Sequence, residues 1–168
     1  MPPYRFPASF PCFFCEYMAG RLPWHPLEEI DDACAFLNIR QRSRGAILVA
    51  PRRHVNTLAA LTDAEMVAVF ECVQRAGAAL TRALDPDGLH VFCNAGRIAG
   101  QSEGHVHFQV IPRYEGTPYS FSAGADFPPA PAAEARELTG LIQACYPSKP
   151  GYPEAGRARN RPLPLPLP

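Results

Sequence analysis

The chain has no excess of either charge: 16 Lys plus Arg against 16 Asp plus Glu give a formal net charge of zero over 168 residues. That balance argues against a general nucleic-acid binder held by bulk positive charge, leaving only local basic clusters for such a role. No apolar run approaches the roughly 20 residues that span a bilayer. Met1 to Phe10 has no apolar core of the kind that opens a secretory signal. A cytoplasmic protein without membrane partners is the expectation. No internal repeat is visible, and 168 residues are too few for two ordinary domains, so one domain is expected. With 47% hydrophobic residues it can bury one core. Four of its 6 cysteines, Cys34, Cys72, Cys93 and Cys145, stand singly within apolar segments and read as core residues.

What is present is a mixture of strand and helix signals. Ala33 to Ile39, Ala46 to Val49 and Val91 to Cys93 are short apolar runs bounded by turn residues, and read as strands. Thr62-Asp63-Ala64-Glu65 is a capping box, so a long helix should begin there. Met66, Phe70, Val73, Gly77, Leu80 and Leu84 follow at helical spacing as its packing stripe. Asp85 to Gly88 should end it as a turn. A weaker helix is expected from about Ala132 to Ala144, with Ala135, Leu138, Leu141, Ile142 and Cys145 on one face and Gly140 as an interruption. From Pro147 onward the prolines exclude helix and central strand, so residues 147–168 read as an extended tail.

The segment from Gly100 to Arg113 carries the chemistry. Strict alternation puts His105, His107 and Gln109 on one face of a strand, expected to be exposed, with Val106, Phe108 and Val110 turned to the core. A neutral imidazole is abundant at neutral pH and attacks phosphorus or binds a metal. Gln109 donates through its amide but, unlike a histidine, neither holds nor supplies a proton. Glycines at 96, 100 and 104 let backbone amides approach an anion. Arg40, Arg42, Arg44, Arg52 and Arg53 read individually as solvated charges and collectively as favouring a polyphosphate. Cys12 and Cys15 have CxxC spacing, open between a zinc knuckle, a redox pair and packing. His25 and His90 read as surface or turn residues.

Gly100-Gln101-Ser102 before His-x-His-x-Gln and Pro112-Arg113 after it resemble the signature of the histidine-triad superfamily. Cys12 to Cys15, Ala35 to Ile39, Leu48 to His54, Asn94 to Gly96 and Ala99 to Ser102 extend the resemblance in register over most of the chain. Gln109, where that signature has its third histidine, resembles the nucleotidyltransferase branch more than the hydrolases. The resemblance implies an α+β domain over residues 1–146, with an antiparallel sheet, one long helix, a weaker C-terminal helix and a homodimeric assembly. It implies His107 as the nucleophile that carries a nucleotidyl group, oriented by the main-chain carbonyl of His105, with Gln109 steadying the intermediate. Asn38 falls at the ribose position, Asn94, Gln101 and Ser102 at phosphate or leaving-group positions, and Phe13, Phe14, Tyr17 and Leu37 at the base slot. A structural zinc on Cys12, Cys15, His54 and His105 is implied in the same way.

The expected reaction is cleavage of a nucleoside polyphosphate, such as a diadenosine polyphosphate, at the α-phosphate, with transfer to phosphate or water. Two alternatives stand beside it: removal of adenylate from an amine or a nucleic-acid end, and nucleotide binding without catalysis.

Overall fold

In the computed structural model, which describes residues 5–8, 10–117 and 129–146, five antiparallel strands form one sheet in the order β1-β2-β3-β5-β4. The strands are β1 Pro26–Glu29, β2 Ala33–Leu37, β3 Ile47–Pro51, β4 Gly88–Cys93 and β5 Phe108–Arg113. Helix α1 spans Phe13–Met18, α2 Asp63–Leu84 and α3 Ala132–Gln143. The expected α+β architecture with one long helix and a second, C-terminal one is therefore present. The proline-rich segment 147–168 lies outside the described residues. Among the described residues, no helix is long and apolar enough to cross a membrane.

β2 and β3 are buried at every position, because elements cover both sheet faces, and a continuous apolar run suits such a strand. The registers Ala35↔Val49, Val49↔Phe108 and Phe108↔Cys93 set one row of side chains across the sheet. That row faces α2 and α3 and forms the main core. Phe36↔Leu48, Leu48↔Gln109 and Gln109↔Phe92 set the opposite row. There Phe36 and Leu48 pack with Cys12 and Phe14 of the N-terminal segment. The sheet thus separates a structural face from a face that carries chemistry. β1 and α1 gave no signal in the sequence, β1 because four residues starting at a proline lack readable alternation.

Thr62 caps α2 as expected: its hydroxyl accepts from the Glu65 amide at 3.2 Å, and the Glu65 carboxylate accepts from the Thr62 amide at 2.8 Å. Asp85 closes the helix at φ 45°. The buried stripe differs from expectation, running through Ala68, Val69, Cys72, Val73, Ala76, Ala79 and Leu80. Val73 and Leu80 of the expected stripe are buried, and alanines between them let the helix lie close on the sheet, whereas Met66 and Phe70 sit on the flank. Phe70 is 48% exposed even as its ring meets Phe108 edge-on at 5.1 Å. α3 forms through Gly140, with Thr139 rather than Leu141 turned inward; the Thr139 hydroxyl donates to the Ala135 carbonyl at 2.7 Å, which removes the cost of burying it. Cys34 and Cys72 are core residues, but Cys93 and Cys145 are only half-buried. His90 is half-buried within β4, not in a turn.

A second correction concerns the His-x-His-x-Gln row. β5 starts at Phe108, so His105 and His107 lie in the chain that leads into it, where the Val106 amide donates to Val55 O at 2.7 Å. Neither side of this stretch is solvated: His105, His107 and Gln109 are 0%, 6% and 6% exposed. The N-terminal segment and α1 lie over the row, a contact between distant parts of the chain that alternation does not report.

Candidate active site and metal centre

His107 is fixed by its neighbour two residues back. Its Nδ1 lies 2.9 Å from the His105 carbonyl oxygen, which only accepts, so Nδ1 carries the proton and Nε2 keeps its lone pair. Burial pushes the His107 pKa down, which keeps the ring neutral. Phe14 meets the imidazole edge-on at 5.1 Å and closes one side of it. Two residues on, the buried Oε1 of Gln109 has no hydrogen-bond partner among the described residues. Its hydrogen-bonding capacity is therefore available to a ligand, and a half-turn of the carboxamide presents the amide instead.

His107 and Gln109 line a cavity of about 510 Å³ together with Asn38, Ser102, Phe14 and Leu37, a size that suits a small-molecule site. Phe13, Tyr17, Arg40 and Arg42 also reach it. Asn94 and Gln101 do not. Gln101 is 4% exposed and held by three backbone bonds: Oε1 accepts from Gly96 N at 2.8 Å, and Nε2 donates to Asn56 O at 3.0 Å and Glu103 O at 2.9 Å. Asn94 donates to Gly100 O at 3.1 Å. In this structure both brace the glycine loop and leave Ser102 to face the cavity. Arg52 and Arg53 are likewise paired elsewhere, with Glu29 at 2.8 Å and Glu65 at 2.7 Å.

Four cavity residues had no sequence signal as site residues: Pro23, Trp24, His25 and Glu103. Leu37 N donates to His25 O at 2.9 Å, so the pairing of β1 with β2 is what carries Trp24 and His25 to the cavity beside Leu37 and Asn38. Glu103 is half-buried, which raises its carboxyl pKa despite the nearby Arg40.

Behind the cavity, Cys12, Cys15, His54 and His105 converge with all four donor atoms within 4.8 Å of one another. Cys12 Sγ lies 3.5 Å and Cys15 Sγ 3.7 Å from His105 Nδ1, and Cys15 Sγ lies 3.3 Å from His54 Nδ1. Bonds of about 2.3 Å to sulfur and 2.0–2.1 Å to nitrogen at tetrahedral angles separate S from N by about 3.6 Å. The cluster fits a four-coordinate metal on that measure. His105 Nε2 lies 2.9 Å from Pro51 O, which makes Nε2 the protonated nitrogen and turns the Nδ1 lone pair to the thiols. Burial holds the His105 pKa down to about 4, so the ring is neutral and ready to ligate. Burial and the adjacent Cys12 push the Cys15 thiol up to about 11. The thiolate a metal requires therefore needs a cation beside it.

The metal cluster and the cavity share one backbone element. His105 gives its ring to the cluster and its carbonyl to His107, and Phe14 stands between Cys12 and Cys15 in sequence while packing on His107.

The HIT-domain family model matches residues 21–116. An uncharacterised HIT-like protein of Mycobacterium tuberculosis is 37% identical over 138 residues, covering 79% of this chain and 90% of the relative. An adenosine 5'-monophosphoramidase of Schizosaccharomyces pombe is 35% identical over 102 residues, 61% of this chain and 74% of that protein. Among solved structures, a Zn-bound histidine triad family protein of Mycobacterium smegmatis superimposes with a TM-score of 0.70 at 27% identity, over 82% of this chain and 94% of that one. Fold, site geometry and sequence agree: this chain belongs to the histidine-triad (HIT) family.

Proposed function

We propose that the protein is a nucleotide-transferring enzyme that works through a nucleotidyl-His107 intermediate. The observation that carries this reading is the tautomer of His107, anchored at Nδ1 by the His105 carbonyl with Nε2 turned to a cavity it shares with Gln109. In the first step Nε2 attacks the α-phosphorus, the N–P bond forms, and the bridging P–O bond breaks with its electron pair leaving on the departing phosphate. In the second, an oxygen of phosphate or water attacks the same phosphorus, the N–P bond breaks with its electron pair returning to Nε2, and the proton lost by an attacking water passes to solvent. Splitting one displacement in two is the gain from covalent catalysis. A phosphate leaving group departs at neutral pH without being protonated. Gln109, which has no proton to give, suits that leaving group and steadies the non-bridging oxygens.

Asn38, Ser102, Phe14 and Leu37 then bind ribose, phosphate and base, while Arg40 and Arg42 favour a phosphate chain. Diadenosine tetraphosphate is the representative substrate. Asn94 and Gln101 act indirectly in this reading, through the loop they brace. A second reading, hydrolysis of a nucleoside phosphoramidate, is favoured by the monophosphoramidase relative.

We further propose zinc as the metal, held by Cys12 Sγ, Cys15 Sγ, His54 Nδ1 and His105 Nδ1. A closed two-sulfur, two-nitrogen set leaves no open position for substrate, so such an ion would pin the N-terminal segment to the sheet and hold the carbonyl that orients His107. A homodimer is supported by exposed apolar side chains on the edge strand β4, where Leu89 and Val91 are 38% and 42% exposed, and on α2, where Val67 and Phe70 are 60% and 48% exposed.

Product analysis with diadenosine tetraphosphate tests the reading, with and without phosphate, beside adenosine 5'-phosphoramidate and a His107→Ala control. ADP plus ATP formed only with phosphate identifies a phosphorylase, and AMP plus ATP in either condition a hydrolase. AMP from the phosphoramidate alone selects the second reading. Turnover undiminished in His107→Ala refutes the covalent mechanism.

A further inference from the structure

The loop between β2 and β3 delivers Asn38, Arg40 and Arg42 to the cavity wall. Two guanidinium groups so close in sequence repel each other, and a surface loop carrying them holds one geometry only if something fixes it. Gln41 stands between those arginines and does not line the cavity. Its Nε2 donates to the carbonyl of Asn38 and, at 3.1 Å, to that of Ala46. Its Oε1 accepts from the amides of Gly45 at 2.5 Å and Ala46 at 3.1 Å.

Two donors and two acceptor lone pairs are all that a carboxamide has. Here every one is spent on the backbone at the loop's entry and exit. Other ties among the described residues include Asn38 N to Ala46 O at 2.9 Å, Arg40 N to Asn38 Oδ1 at 2.9 Å, Ala46 N to Ser43 O at 3.0 Å and Ala130 N to Ile39 O at 2.7 Å. Gly45 completes the exit with φ +94°, where an added Cβ would lie 2.3 Å from Leu84 Cδ1. The bend is therefore pressed against the end of α2 on one side and bound to Gln41 on the other.

We infer that Gln41 is a positioning residue for the nucleotide site: it touches no ligand and sets the geometry in which Asn38, Arg40 and Arg42 meet one. The inference rests on the nucleotide reading proposed above. Replacing Gln41 leaves His107, Gln109 and Ser102 in place, because they stand on β5, on its lead-in and on the glycine loop. The loss therefore falls on binding.

The test is calorimetric titration of the full chain with AMP, comparing wild type with Gln41→Met, which keeps the length and removes all four bonds. Gln41→Glu, which keeps both acceptors and sets a carboxylate against two carbonyls, is measured alongside and held to the same criterion. The expected result is unchanged stoichiometry with a Kd weakened about tenfold in each variant, since several backbone bonds that order the loop are lost. A purely structural role would instead lower the stoichiometry, as a fraction of the chains misfolds, and leave Kd where it was; that result overturns the assignment of Gln41 alone. A wild-type chain that takes up no AMP overturns the nucleotide reading itself, and Gln41's role with it.

Discussion

Glu65→Gln isolates one charge at the start of α2. The Glu65 side chain is 7% exposed; it accepts two bonds from the Arg53 guanidinium, at 2.7 and 2.8 Å, and a third from the Thr62 amide at 2.8 Å. The Arg53 bonds, first, and then the Thr62 amide lower its pKa from 4.5 to about 2. Glutamine keeps the length and still accepts from Thr62, so the capping box survives and only the charge-assisted pair is lost. Each tenfold change in proton affinity is about 1.4 kcal/mol. Arg53 is 51% exposed, and with screening of so open a partner the variant is expected to lose about 1–2 kcal/mol at pH 7, or about 3–6 °C in Tm for a domain of this size.

The sign of the pH dependence follows from the direction of that shift. A carboxyl whose folded pKa is depressed stabilises above its unfolded value, and the stabilisation fades as pH falls through the folded value. The difference between wild type and variant should therefore be full above about pH 5, under about half by pH 3 and gone near pH 2. Urea unfolding followed by the fluorescence of Trp24, the single tryptophan, measures it at pH 7 and pH 3. A difference of equal size at both pH values, or none at pH 7, would refute the assignment of the effect to an ionised Glu65.

The metal and the assembly yield two more predictions. Purified protein should carry about one zinc per chain by elemental analysis, as a closed four-ligand set implies. Cys12→Ser should lower that content and, because Phe14 then loses its anchor beside His107, alter Trp24 emission as well; an unchanged zinc content removes Cys12 from the ligand set. Sedimentation equilibrium should give a dimer that Phe70→Glu or Val91→Glu converts to a monomer, since a buried unpaired charge is costly. A wild-type monomer at micromolar concentration rules out the β4 edge as a self-association surface.

How much of this was legible in the sequence depended on how local the cause was. The capping box at Thr62 and Glu65, the apolar runs of β2 and β3, and the α3 segment are written in spacing, and each formed as spacing predicts. That His107, Gln109 and Asn38 would share one cavity and that Cys12, Cys15, His54 and His105 would converge was legible through the resemblance to the histidine-triad signature, which spacing alone does not supply. What spacing cannot report is which elements come to lie against each other. α1 settling over the histidines turned an expected solvated row into buried imidazoles, and the β1–β2 pairing carried Trp24 and His25 into the cavity. The amide of Gln101 was spent on three backbone groups while the less conspicuous Gln41 took four. Which nitrogen of His105 carries its proton was likewise decided by a carbonyl, Pro51 O, that only the folded chain presents, whereas the His105 carbonyl beside His107 Nδ1 is what the family resemblance implied. Residue chemistry belongs to the sequence, whereas burial, tautomer and the partner of each polar atom belong to contacts across the fold.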